Sequence, residues 1–234
     1  MWSSIVTETV NALPSAPEAT GIAANSNMTT SAWARICVRR ASSLQTNPIS
    51  NTNSYELSQI FMARAVLGGG CFWCVEGAFK HIRGVTSALP GYAGGLDPSP
   101  NYNSVCEGHT GHAEVVEVVY DESALTYETI LEVFFTVHDP TQLNRQGNDI
   151  GTQYRSAIFY VDEMQKVVAE KVRDEFQELF NNPIVTEISP LSNYHEAEKY
   201  HHDYYALNPQ TGYCQAVVGP KIAKVRSKLA HLYD

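Results

Sequence analysis

An α+β sandwich, with helices covering one mixed or antiparallel sheet, is the fold that the sequence predicts. Strand-like and helix-like segments alternate from Ala63 onward, two stretches keep helical spacing of their apolar residues, and some gaps between elements are hairpin-sized. Length permits such a fold: 234 residues with 44% hydrophobic content bury a substantial core in one domain or two.

Residues 1–60 stand apart from the rest. They are rich in Ser, Thr, Asn and Ala, contain no Lys and only three acids, Glu8, Glu18 and Glu56, and lack periodicity. This predicts a largely disordered N-terminal extension, with 61–234 as the folded unit. No basic segment followed by an apolar one marks a secretory signal. Arg35, Arg39 and Arg40 in an acid-poor, Ser-rich stretch keep an organelle transit peptide open as the alternative to a cytoplasmic protein.

The first strand ends at Leu67, three glycines follow, and a helix begins near Cys71. Val85, Leu89 and Tyr92, between Gly84 and Gly95, suggest a second short strand. The β-branched run Ala113–Tyr120 is a third. Thr126 to His138 reads as a helix with Ile130, Leu131, Phe134 and Phe135 on its apolar side and Pro140 marking its end. Residues 139–154 form a polar loop, too long to be idle in a compact domain. Arg155–Val161 is a strand. Asp162 with Gln165 resembles a capping box, ahead of helical spacing through Met164, Val168, Val172, Phe176 and Leu179. Ile184–Ile188 suggests a short strand, Glu196–Tyr205 a helix, the segment around Cys214 a flexible loop, and Lys221–Leu232 a surface helix.

Twenty-five acidic and 16 basic side chains give a net charge of −9. Nucleic acid is therefore excluded as a partner, since phosphate binding relies on clustered Lys and Arg and the one doublet is Arg39-Arg40. No stretch resembles a membrane span of about 20 apolar residues. Five cysteines, Cys37, Cys71, Cys74, Cys106 and Cys214, are an odd number, which argues against a secreted disulfide framework and for reduced thiols in a cytosol-like compartment.

Val66-Leu-Gly-Gly-Gly-Cys71-Phe-Trp-Cys74-Val-Glu76 places a thiol at a strand-to-helix turn. Helix amides without internal partners favour a thiolate there, and the glycines let another molecule approach the main chain. Phe72 and Trp73 beside it form an apolar wall if exposed. A buried structural cysteine fits the same pattern, and the Cys71/Cys74 spacing also fits a dithiol pair or half of a zinc site.

Three further stretches carry chemistry. In Asn101-Tyr-Asn-Ser-Val-Cys106-Glu-Gly-His109-Thr-Gly-His112-Ala-Glu114, Glu114 opens a Val-rich strand. Alternation alone turns it toward solvent; burial instead raises its pKa and makes it a proton donor. His109 and His112 read as surface residues rather than metal ligands. Arg145 to Ser156 is a polar loop whose Tyr154 and Arg155 are large for a mere turn. Gly212-Tyr-Cys214 carries a lone cysteine that is either incidental or able to reach Cys71.

Four ordered motifs, Gly70-Cys71-Phe72-Trp73, Gly111-His112-Ala113-Glu114, Gly147-Asn148-Asp149 through Gly151-Thr152-Gln153-Tyr154-Arg155-Ser156, and Gly212-Tyr213-Cys214, resemble the peptide-methionine sulfoxide reductase A family over residues 62–214. The resemblance implies a ferredoxin-like core and reduction of the S epimer of methionine sulfoxide, peptide-bound or free. It further implies that Cys71 attacks the sulfoxide sulfur, Phe72 and Trp73 hold the substrate methyl, and Glu114 protonates the oxygen with Tyr102 and Tyr154 donating to it. Asp149 accepts the bound residue's amide, and His201, in Ala197-Glu198-Lys199-Tyr200-His201, matches the family's site histidine. Cys214 then condenses with the Cys71 sulfenic acid, and thioredoxin reduces the disulfide without metal or organic cofactor. The expected partners are thioredoxin and oxidised proteins or peptides, and the expected state is a monomer.

Two features depart from the common family pattern: Cys74 stands where glycine is frequent, and Cys214 is the only C-terminal thiol. Cys74 is thus a second candidate to resolve the sulfenic acid. Two other readings rest on the same cysteines. A general thiol-disulfide oxidoreductase would use Cys71 and Cys74, and a zinc module would use Cys71, Cys74, Cys214 and a histidine.

Overall fold

A computed structural model describes residues 61–233, so the predicted N-terminal extension and Cys37 lie outside the described residues. Strand β1 (Met62–Gly69) is central, pairing antiparallel with β3 (Ala113–Asp121) on one side and β6 (Ser156–Tyr160) on the other. Strand β2 (Val85–Ala93) pairs antiparallel with β3, giving the order β6-β1-β3-β2. Helix α1 (Phe72–Phe79) connects β1 to β2, and α3 (Tyr127–Val137) lies between β3 and β6. This is the ferredoxin-like arrangement. Short strands extend it: β7 (Glu187–Pro190) runs parallel to β6, and β8 (His195–Glu196) antiparallel to β2. The sheet is therefore mixed, with six strands.

Helices cover one face. Phe72, Phe79, Phe134, Phe135 and Phe176 are all buried there, on α1, α3 and α4 (Glu163–Gln177). The other face carries a thin cluster, Val66, Val115 and Phe159 among others, over which Leu191 and Tyr194 pack. Because β1 and the first half of β3 are covered on both faces, they read as apolar runs rather than alternating patterns.

Helix starts follow the sequence closely. The Thr126 hydroxyl accepts from the Thr129 N–H at 3.2 Å, and the Asp162 carboxylate from the Gln165 N–H at 2.8 Å. Gln165 does not complete the reciprocal box: its side chain accepts from the Val161 N–H and donates to the Arg64 carbonyl. Met164, expected on the apolar stripe of α4, is 71% exposed.

Several expectations are corrected. Residues 139–154 contain a ribbon, β4 (Arg145–Gln146) with β5 (Asp149–Ile150), and a 3₁₀ turn at Thr152–Tyr154. Asn101–Cys106, in which no helix is expected, forms the short α2 (Tyr102–Cys106), closed by a capping box between Asn101 and Ser104. The strand expected at Ile184–Ile188 is shifted to Glu187–Pro190. The helix expected at Glu196–Tyr205 is absent; a bridge, a 3₁₀ turn at Lys199–His201 and the four-residue α5 (Tyr204–Leu207) take its place, because hydrogen bonds to neighbouring elements hold this backbone. Cys214 does not sit in a loop: it begins a π turn, Cys214–Val218, that runs into α6 (Gly219–Lys228). The C-terminal helix is also less superficial than expected, since Ile222, Val225 and Leu229 are buried.

Glu76 ties this C-terminal region to α1. Its buried carboxyl accepts the Asp203 N–H at 2.8 Å, while Lys80 forms an ion pair with Asp203. Burial lifts the Glu76 pKa from 4.5 to about 7. A folded-state pKa above the unfolded one gives stability that is complete below pH 4.5 and lost as pH rises to 7. Glu76→Gln keeps the acceptor and removes the ionisation, so urea denaturation from pH 4.5 to 7 is expected to show a decline smaller by ~3 kcal/mol than in the parent.

Candidate active site

Gly70 turns the chain from β1 into α1 with φ +86°, and a Cβ there would lie 2.6 Å from the Gln146 Cβ. Only glycine meets both demands. Gln146, on the β4–β5 ribbon, exchanges two hydrogen bonds with the Asp139 main chain, so the ribbon is fastened directly over this turn. Cys71 then sits at the N-cap of α1 with φ −53° and ψ 123°, 5% exposed.

Glu114 does not face solvent as alternation suggests. It is 2% exposed, and its Oε2 accepts the Phe72 N–H at 3.0 Å. The third strand is here enclosed on both faces, which defeats alternation. Burial, then the neighbouring Cys71, holds the carboxyl well above the usual carboxylate range; the Phe72 N–H works the other way and Asp149 adds to the rise. Glu114 is thus a neutral acid beside a thiol, able to give a proton.

Aromatic rings surround this pair. Phe72 is buried, with His201 at 4.9 Å and Tyr102 at 6.4 Å between ring centroids, while Trp73 stays half-exposed and stacks on Tyr204 at 3.8 Å. The open wall is therefore mainly Trp73. The phenols of Tyr102 and Tyr154 are half-buried; burial raises both pKa values, and each feels Glu114 and Cys71, so both remain donors. His201 is buried with neither ring nitrogen hydrogen-bonded, and burial lowers its pKa, leaving a neutral ring against Tyr102 at 4.5 Å.

Asp149 and the C-terminal region meet on the opposite side. Tyr213 Oη donates to Asp149 Oδ2 at 2.7 Å and is also hydrogen-bonded with the Cys71 thiol. The other side-chain partner of Cys71 is Cys74. The expectation that the helix start favours a Cys71 thiolate is overturned in this resting state. Burial, then Cys74, pushes the Cys71 thiol up, whereas the hydrogen bond from Cys71 brings Cys74 down. When the pair loses one proton, the charge rests on Cys74. Cys214 is wholly buried in the same core cluster as both.

Other candidates have structural roles. His112 is buried rather than at the surface: its Nδ1 accepts the Gly95 N–H, and its Nε2 meets the Asp97 carbonyl at 2.8 Å. Arg155 binds Glu187 and the Thr152 carbonyl. The donor set of the zinc reading is not assembled: among the described residues no group of three or more His, Cys, Asp or Glu side chains is placed to hold a metal ion. A cavity of about 310 Å³ lies along the far half of α1, lined by Glu76, Lys80, Asp203, Tyr205, Ile222 and Arg226, away from Cys71.

Four residues of the site escape sequence reasoning: Tyr92, Glu198, Tyr204 and Tyr213. Tyr92 donates to Glu198 Oε2 at 2.8 Å, and Glu198 Oε1 accepts the Tyr102 N–H at 3.0 Å, so Glu198 positions both Tyr102 and the turn carrying His201. Glu198 and Tyr213 stand inside motifs already quoted, which is the signal that marks them; Tyr92 and Tyr204 carry none.

A cysteine facing a neutral buried acid, at a helix start on a ferredoxin-like sheet, defines a thiol-based oxidoreductase. The family profile described as "Peptide methionine sulfoxide reductase" matches residues 63–232. The peptide methionine sulfoxide reductase MsrA of Chromobacterium violaceum is 52% identical over 173 residues, 73% of this chain and 98% of that one, and the MsrA of Nautilia profundicola is 55% identical over 163, 70% and 94%. Among solved structures, reduced Mxr1 from Saccharomyces cerevisiae superposes with a TM-score of 0.62 at 35% identity, covering 72% of this chain and 96% of that one. Methionine sulfoxide reductase A of Corynebacterium diphtheriae gives 0.59 at 35% identity, covering 74% and 91%. The chain belongs to the peptide methionine sulfoxide reductase A family.

The Glu114 shift has a consequence for stability. Its folded pKa is raised, so its contribution is complete below the unfolded value and lost as pH climbs toward the folded one. Glu114→Gln keeps the acceptor for the Phe72 N–H. Its thermal midpoint, measured from pH 5 to 9, is expected to gain on the parent progressively as pH rises.

Proposed function

We propose that the site reduces methionine S-sulfoxide by direct attack of Cys71 on the substrate sulfur. The observation that carries this reading is the Glu114 carboxyl, buried, neutral and bonded to the amide that follows Cys71. Trp73, with Phe72 behind it, receives the substrate methyl, and Asp149 accepts the backbone amide of the bound residue. His201 packs behind the pocket. The sulfoxide oxygen lies toward Glu114, Tyr102 and Tyr154.

The Cys71 proton passes to the Cys74 sulfur, and the Cys71 sulfur attacks. An S–S bond forms between Cys71 and the methionine sulfur, Glu114 protonates the sulfoxide oxygen, and the hydroxyl passes to the Cys71 sulfur as that S–S bond and the methionine S–O bond break, the two phenols stabilising the charge developing on the oxygen. The products are methionine and a Cys71 sulfenic acid. Cys214 ends as the disulfide partner of Cys71, and thioredoxin reduces that bond. Sulfur carries the electrons throughout, so the chemistry needs no metal or organic cofactor.

The same reading makes 61–234 a sufficient catalytic unit and 1–60 a separate extension, in a cytoplasmic monomer that repairs oxidised proteins, peptides and free methionine sulfoxide. A transit role for 1–60 is the alternative. Among the described residues, no helix is long and apolar enough to cross a membrane.

Reduced protein mixed with a methionine S-sulfoxide peptide, without reductant, is expected to release one equivalent of methionine. Absence of methionine would overturn the reading. Glu114→Gln is expected to slow that turnover by roughly 10²–10⁴, the usual worth of a positioned acid. A chain shortened to 61–234 is expected to match the full chain in kcat/KM with thioredoxin; a large loss would show that the extension takes part.

A further inference from the structure

Among the described residues three buried thiols, Cys71, Cys74 and Cys214, share the core around the site, and Cys74 is a hydrogen-bond partner of Cys71. Residues 71–74 form a turn closed by the Cys74 N–H donating to the Cys71 carbonyl at 3.1 Å. Such a turn keeps its first and last α-carbons within about 7 Å, close to the roughly 4.4–6.8 Å span that a disulfide requires. The side chains already meet, since the Cys71 and Cys74 thiols are hydrogen-bonded. Cys214 is held differently: it is wholly buried, at the head of a π turn whose first amides bond to Thr211.

A second observation points at Cys74. The Lys221 ammonium, on α6, is buried without a hydrogen-bond partner and acts electrostatically on the Cys74 sulfur. An ammonium withdrawn from water needs a counter-charge, and a thiolate at Cys74 supplies one. The same field favours the thiolate, the nucleophilic form, at Cys74 once Cys71 has been oxidised.

We propose that Cys74 captures the Cys71 sulfenic acid, so that the first disulfide of the cycle is Cys71–Cys74, formed within one helical turn before Cys214 engages. This rests on the reductase reading above. The Cys74 sulfur attacks the Cys71 sulfur, an S–S bond forms, the Cys71 S–O bond breaks, and the hydroxyl leaves as water with the proton from Cys74. The two electrons have gone to the sulfoxide. Cys214 enters afterwards by thiol-disulfide exchange: it attacks Cys71 and releases Cys74 as a thiolate that Lys221 stabilises.

The test uses the full chain, reduced and then mixed with one equivalent of a methionine S-sulfoxide peptide without reductant. The reaction is quenched in acid over time, free thiols are alkylated, and disulfides are mapped by mass. The Cys71–Cys74 bridge is expected first, followed by Cys71–Cys214. In Cys214→Ser the Cys71–Cys74 bridge is expected to persist, with Cys71 unreactive toward dimedone. A dimedone-labelled Cys71 beside a free Cys74 in that variant overturns the proposal, as does a Cys71–Cys214 bridge that forms first in the unsubstituted chain. Lys221→Met is expected to slow formation of the first bridge about tenfold, through loss of thiolate, and Lys221→Arg to restore it. Methionine released in the same quench separates the two readings. Its absence defeats the reductase assignment, whereas methionine with Cys74 reduced throughout defeats only the capture step.

Discussion

The hydrogen bond from the Phe72 amide to the Glu114 carboxyl is the contact to which the rest of the site is referred. It joins the third strand to the first turn of α1 inside the core, and it fixes the distance between nucleophile and acid without spending either group. An acid in that position cannot hold charge cheaply, because the low dielectric around it penalises the ionised form more than a single amide rewards it. The fold therefore delivers a proton donor by enclosure. The helices over the sheet, the ribbon over Gly70 and the aromatic ring around Phe72 all contribute to that enclosure.

Much of this was legible in the sequence. The four long strands follow from apolar and β-branched runs, α3 and α4 follow from helical spacing, and Thr126 and Asp162 mark helix starts through capping chemistry that is local and therefore readable. Cys71, Glu114 and Asp149 stand in ordered motifs, and the structure gathers them at one place. The failures have a common cause. Residues 190–207 take their shape from partners far away in sequence, Tyr92 and Glu76 among them, so propensity there predicts a helix that tertiary bonds forbid. Glu114 misleads because alternation presumes one wet face, and the start of β3 has none. The charge on the cysteine pair was misplaced for a similar reason: helix-end amides act over one turn, but burial and the second thiol outweigh them at the N-cap.

The C-terminal segment does two jobs with one stretch of chain. Tyr213 reaches Asp149 and Cys71, while Ile222 and Val225 pack on the core a few residues later. Asp149, the cysteine pair and the hydrophobic core thus share a boundary at α1 and the π turn. A π turn suits such a place, because π turns are rare within helices and frequently mark functional positions.

The sheet edges add a last point. The outermost strands, β7 and β8, have four residues and two, and Pro190 ends the longer one. Edges so short give an incoming extended chain almost no ladder to join. For a member of a family whose name refers to peptides, this matters in a particular way: among the described residues, the six-stranded sheet gives an extended chain little template on which to polymerise. Strand addition at these two edges is therefore a poor way for an extended chain to engage the molecule.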